Sequence, residues 1–111
     1  MKELIKLENA LNAYEALSLK LRKYGACDTE PECVYAEVLE RALRGEPPDI
    51  PQDGKSWQLY SVSMKCDSAA RRLAAATQKV VDALNKVPMG KRQEAIQLVK
   101  NHSRVSDAYI S

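Results

Sequence analysis

The chain predicts an all-α fold, and three observations carry that reading. From Ser56 to Val87 it runs 32 residues without a Gly or Pro. Within that run, Cys66, Ala70, Leu73, Thr77, Val80, Leu84 and Val87 recur four and three apart, the period of a helix burying one stripe. The start of the chain repeats the pattern with Leu4, Leu7, Leu11, Tyr14, Ser18 and Leu21, and no stretch reads convincingly as a strand. The expected architecture is bundle-like: one domain over 1–111, with four helices in two hairpins. An acidic hairpin (1–44) and a basic one (56–111) are joined by a Pro-rich connector (45–55).

The first helix should run from Lys2 to Tyr24 and stop at Gly25, a good C-terminal stop. Ile5, Ala10, Leu17 and Tyr24 should widen its apolar stripe. Thr29 and Glu32 have capping-box spacing, and Pro31 suits a first turn, where its missing N–H is not needed. The second helix should therefore span Glu30 to Arg44, burying Val34, Tyr35, Val38, Leu39, Ala42 and Leu43. Pro47, Pro48 and Pro51 stiffen the connector, and Ile50 is placed to pin it to the core. Ser56 is the candidate N-cap of the third helix. Pro88-Met89-Gly90 breaks that helix. The fourth starts near Gly90 and runs to Ser106 or beyond, with Ala95, Leu98, Val99, His102, Val105 and Tyr109 inward.

A straight helix over 56–87 would be about 48 Å long, against a radius of gyration of about 13 Å for a domain of this size. It should protrude, bend or pack on another copy. The seam holds small residues from Cys66 to Thr77. Cys66, Ala69, Ala70, Leu73, Ala76 and Thr77 are thus the expected contact between copies, and the chain is expected to be a homo-oligomer.

Composition narrows the function classes. There is no Phe, one Trp and five Tyr, so the core is aliphatic and thin, and self-association is a common remedy. No apolar run of about 18 residues exists, so no membrane partner is expected. Met1-Lys2-Glu3-Leu4 lacks a signal-peptide apolar region, which makes the cytoplasm the expected location. Residues 1–54 carry 7 Lys/Arg and 11 Asp/Glu, a net −4; residues 55–111 carry 10 and 4, a net +6. The basic half is a possible anion-binding surface, or only the complement of the acidic one.

Catalytic and metal patterns fall short. Gly54-Lys55-Ser56 has the ending of a phosphate-binding loop, but Asp49 stands where the first Gly is required. Cys27, Cys33, Cys66 and His102 could supply a Cys₃His zinc set; no two of the cysteines are closely spaced, and free thiols are expected. His102, the only histidine, reads as a hydrogen-bonded core residue. Glu30, Glu32, Glu37 and Glu40 sit where caps and helix surfaces favour acids. No enzyme, metal or cofactor is expected. Arg92 through Ala108 has a faint helix-turn-helix spacing, but Asn101-His102-Ser103 holds no Gly for the turn.

The Pro88–Gly90 break is different. Lys86, Lys91 and Arg92 gather where Gly90 opens a helix, and helix N-terminal N–H groups beside cations form an anion site. From Lys86 to Ser111 the chain resembles the helical hairpin of phage proteins that sequester cyclic nucleotides made by anti-phage defences. The matching features are Pro88, Lys91 or Arg92, Ala95-Ile96, and Ser106-Asp107-Ala108-Tyr109-Ile110. The family's mid-helix acidic pair and Trp are missing, and Asn101, His102 and Val105 stand in that region. The resemblance implies a helical oligomer holding a small polyanion between subunits. Lys86, Gly90, Lys91 and Arg92 would bind it, and Tyr109 or Trp57 would stack on it.

The expected function is therefore a non-catalytic, self-associating helical binding module, in its most concrete form a sponge for a small anionic cyclic nucleotide. The alternatives are an adaptor or inhibitor docking a helical face on a larger protein, and a small DNA-associated regulator.

Overall fold

Four α-helices dominate the computed structural model, which describes residues 2–23, 31–57 and 63–102. They are α1 (Lys2–Lys23), α2 (Pro31–Leu43), α3 (Ser63–Asn85) and α4 (Arg92–His102), with a 3₁₀ turn over Met89–Lys91 before α4. No strand occurs among the described residues.

The apolar periods in the sequence are the buried faces. Leu7, Leu11, Tyr14, Ser18 and Leu21 of α1 are buried, as are Tyr35, Val38, Leu39 and Ala42 of α2. Leu4, Ala10 and Leu17 pack at the margins. Each fully buried Leu or Val contributes about 1.5–3 kcal/mol relative to an exposed one. Ile5 departs from expectation: it is 59 % exposed and does not widen this stripe. In α4, Ala95 and Val99 are buried; Val105 and Tyr109 lie outside the described residues.

The end of α2 follows from Gly45, whose φ of 81° lies in the left-handed region that Gly tolerates. The Gly45 N–H then reaches the Ala42 carbonyl at 3.1 Å, and the Glu46 N–H reaches Arg41 at 3.0 Å. This paired closure is the Schellman motif.

The third helix is shorter than its Gly- and Pro-free run. Its described part is Ser63–Asn85, and Ser56 lies in a turn over 54–57, so Ser56 is not its N-cap. Ser56 instead closes a turn on Asp53: its N–H donates to the carboxylate at 2.8 Å, and its hydroxyl donates at 2.8 Å. These two bonds, backbone first, hold the Asp53 carboxyl below its usual range. Trp57 is fully buried, and its indole N–H donates to the Pro51 carbonyl at 2.7 Å. Ile50 packs partly buried against the core. The connector is thus anchored by Trp57 and extends past Lys55.

With 23 residues, α3 is about 35 Å long. It fits within a chain measuring 44 × 24 × 22 Å, so its length no longer demands a second copy. Ala70, Leu73, Thr77, Val80, Leu84 and Val87 are all buried within one chain. The Thr77 hydroxyl is satisfied by the Leu73 carbonyl at 2.7 Å. The residues expected to contact a second copy are covered by their own chain where they are described. Ala69, Ala70, Leu73 and Thr77 are core and Ala76 is partly buried against it; the Cys66 side chain is outside what is described. Small residues on α3 let other helices of the same chain approach.

The packing order also differs from two self-contained hairpins. Among the described residues, α1 lies chiefly against α3 and then α4, and α2 lies against α3. α1 and α2 meet through a ring stack: Tyr14 and Tyr35 lie with centroids 3.5 Å apart and planes within 7°. The Tyr35 hydroxyl is buried with no hydrogen-bond partner among the described residues. Burial, and then the nearby Glu15 carboxylate, push its pKa well above the usual phenol range.

Candidate functional site

The Lys86–Arg92 corner is built by the end of α3 and the start of α4. The Lys91 N–H donates to the Pro88 carbonyl at 2.9 Å, which closes the 3₁₀ turn. Arg92 opens α4, yet its side chain serves other helices. The guanidinium donates to the carbonyls of Ala42 at 3.2 Å and Leu43 at 3.3 Å, and reaches Leu84 at 3.5 Å. Ala42 and Leu43 end α2, and Leu84 lies in the last turn of α3. A cation at two helix C-termini adds to the backbone donors that already reach Ala42 and Leu84, supplies one to Leu43, and sits at the negative ends of both dipoles.

These contacts tie Arg92 to the helix ends, so the ligand role expected of it would compete with them. Lys91 is partly covered and lies 3.9 Å from Glu94, a weak pair that reduces its pull on an anion. Lys86 and Gly90 are exposed. Nothing lies within 4 Å of where a Gly90 side chain would begin, so no close backbone approach requires that glycine. Tyr109 lies outside the described residues. Trp57, the other expected stacking residue, is enclosed in the core.

The Gly54-Lys55-Ser56 turn cannot cradle phosphate as it stands. The Gly54 N–H donates to the Asp67 carboxylate at 2.9 Å, and the Ser56 N–H donates to Asp53. Two internal carboxylates occupy the donors a phosphate would need. His102 is bound locally: its protonated Nδ1 donates to the Leu98 carbonyl at 3.0 Å, one helical turn back. Cys27 and the side chains of Cys33 and Cys66 are outside what is described, so the Cys₃His set is not placed. Among the described residues no group of three His, Cys, Asp or Glu side chains is arranged to hold a metal.

A feature the sequence pattern did not single out lies between the N-terminal half of α1 and α4. Leu4, Ile5 and Leu98 line an open groove of about 370 Å³, with Glu8, Glu94, Gln97 and Asn101 around it. Its floor is aliphatic and its only charged side chains are carboxylates. A smaller hollow of about 270 Å³ lies between α2 and the connector. Its Arg41 is already paired with Glu37 at 3.3 Å.

The chain matches no family model, no curated protein and no solved structure.

The resemblance to phage nucleotide sponges therefore rests on the residues that first carried it, and half of those, from Ser106 to Ile110, are outside the described part. The groove was missed for a physical reason. In the sequence pattern Leu4 belongs to the seam of α1 and Leu98 to the inward face of α4, and only the packing of α1 on α4 brings them together. No helix of the described residues is long and apolar enough to cross a membrane.

Proposed function

We propose that this protein is a non-catalytic, self-associating helical binding module whose α1–α4 groove takes a helical segment of a partner protein. The observation that carries the reading is the groove's chemistry: an aliphatic floor of Leu4, Ile5 and Leu98 beside Glu8 and Glu94. Such a surface fits an amphipathic helix with Leu-type anchors flanked by Lys or Arg. It is ill suited to a nucleotide, whose phosphates would face two carboxylates. The nucleotide-sponge form also loses Arg92 to helix capping, which leaves Lys86 and Lys91 as its cations.

The test uses labelled full-length protein and two synthetic amphipathic peptides of equal length, one Leu/Lys and one Leu/Glu. The Leu/Lys peptide should shift the NMR signals of Leu4, Ile5, Glu94 and Leu98, and the Leu/Glu peptide should not. Equal response to both peptides, or shifts elsewhere, would overturn the groove reading. A thermal-shift series with cyclic di- and trinucleotides is the second arm. Stabilisation that disappears in the Lys86→Ala/Lys91→Ala variant would replace the groove reading with the sponge.

A further inference from the structure

Helix α1 carries a second stripe on the side away from its core face. Ile5, Asn9, Asn12, Ala16 and Leu19 are spaced four, three, four and three apart, and all are exposed. Ile5 (59 %) and Leu19 (58 %) are two of the three large apolar side chains most exposed among the described residues. They lie fourteen residues apart on one helix, two heptads, so they share one line about 21 Å long. An isolated exposed Leu needs no explanation. Two aliphatics in one heptad line, with small and amide side chains filling the intervening seam positions, form a helix-pairing surface.

The charges beside the stripe select its occupant. On one flank stand Glu8 and Glu15; on the other stand Lys6, Ala13 and Lys20. In a parallel, in-register pair of α1 helices, each acidic-flank residue meets the opposite flank of the other copy five positions on. Glu15 then meets Lys20, twice by symmetry, and Glu8 meets the neutral Ala13. Arg22 continues the flank of Glu8 and Glu15, so an antiparallel pair would set Glu8 against Arg22, but it would also set Glu15 against Glu15 and Lys6 against Lys20. Within one helix, residues five apart do not pair, so the Glu15–Lys20 complementarity is useful only between copies. We infer that a second copy of this chain docks on the outer stripe of α1, parallel and in register, through Ile5, Asn12, Ala16, Leu19 and reciprocal Glu15–Lys20 pairs. This inference rests on the self-association part of the function proposed above and moves it from α3 to α1. Ile5 also lines the groove, so pairing sets two grooves along one ridge. The amides of Asn9 and Asn12 weaken the seam while favouring one register, and the association is weak and concentration-dependent.

Equilibrium sedimentation of the full chain, from about 10 μM to about 1 mM, tests it. The wild type should move from monomer to dimer. Ile5→Glu/Leu19→Glu alters only exposed positions, so it should keep wild-type helicity and melting while remaining monomeric. Glu15→Lys or Lys20→Glu alone should weaken dimerisation about three- to tenfold, and the double swap should restore it to near wild type. A wild type that stays monomeric throughout overturns both the inference and the self-association reading, but not the groove, which the peptide titration reads separately. Dimerisation that survives Ile5→Glu/Leu19→Glu overturns the α1 surface alone. Failure of the double swap to rescue overturns the parallel pairing.

Discussion

Helices α1 and α3 both carry apolar positions at heptad spacing, yet they use them differently. The seam of α3 is single and lies wholly inside the chain, from Ala70 to Val87. α1 has two stripes: Leu7, Leu11, Tyr14, Ser18 and Leu21 inside, and Ile5 to Leu19 outside. The difference teaches that a long regular seam marks a buried face without saying whose atoms bury it. On α3 the same chain supplies α1 and α2. On α1 the inner stripe is covered by the same chain, and the outer one is exposed, which is where we propose a second copy docks.

Substitutions break this comparison at different strengths. Leu73→Ala on α3, or Trp57→Ala in the connector, should be the most damaging. Each removes a fully buried side chain and should cost about 2–5 kcal/mol, read by chemical denaturation. Arg92→Ala comes next. It leaves the α2 carbonyls of Ala42 and Leu43 without their cation and should cost about 1–3 kcal/mol. Lys86→Ala should be nearly neutral, which separates a capping corner from a solvated one. Arg92→Ala that leaves stability untouched while abolishing anion binding would return the corner to the role of a site.

Tyr35→Phe has a smaller effect of opposite sign. Removing a buried hydroxyl without a partner should stabilise the fold by about 1 kcal/mol, provided the ring stack on Tyr14 is kept. The same residue predicts a pH dependence. Its pKa is raised in the fold, so the unfolded chain loses this proton first. Its contribution is complete below about pH 10 and declines as pH rises above that value. Denaturation midpoints through that window should fall less steeply in Tyr35→Phe than in wild type. Leu19→Ala should have the smallest effect on stability, within about 0.5 kcal/mol, while reducing association.

Much of the fold was legible in the chain. Among the described residues the inner faces of the four helices, apart from Ile5, the stop at Gly45 and the partial burial of Ile50 follow from period and residue type. The start of α3 was not legible. The local marks were Asp53 and Pro51, which hold Ser56 and Trp57 in a turn, but the apolar period does not show that Trp57 is buried in the core. The outward turn of Ile5 was also missed, since Leu4 and Ile5 are adjacent and either could belong to the inner stripe. The capping contacts of Arg92 at the corner were hidden for the same kind of reason. Local sequence puts Arg92 at a helix N-terminus, where it invites an anion. Its actual partners, Ala42 and Leu43, are fifty and forty-nine residues away. The groove needed the contact of α1 with α4, which no single-helix pattern contains.

Hydroxyl-radical footprinting across a concentration series tests the central claim most directly, because it reads the aliphatic side chains of both stripes in one sample. Leu73 and Leu84 on α3 should be protected at every concentration, while Ile5 and Leu19 on α1 should be modified in dilute protein and protected in concentrated protein. Leu73 and Leu84 modified in dilute solution and protected on concentration, with Ile5 and Leu19 unchanged, would contradict the account and return the contact between copies to α3.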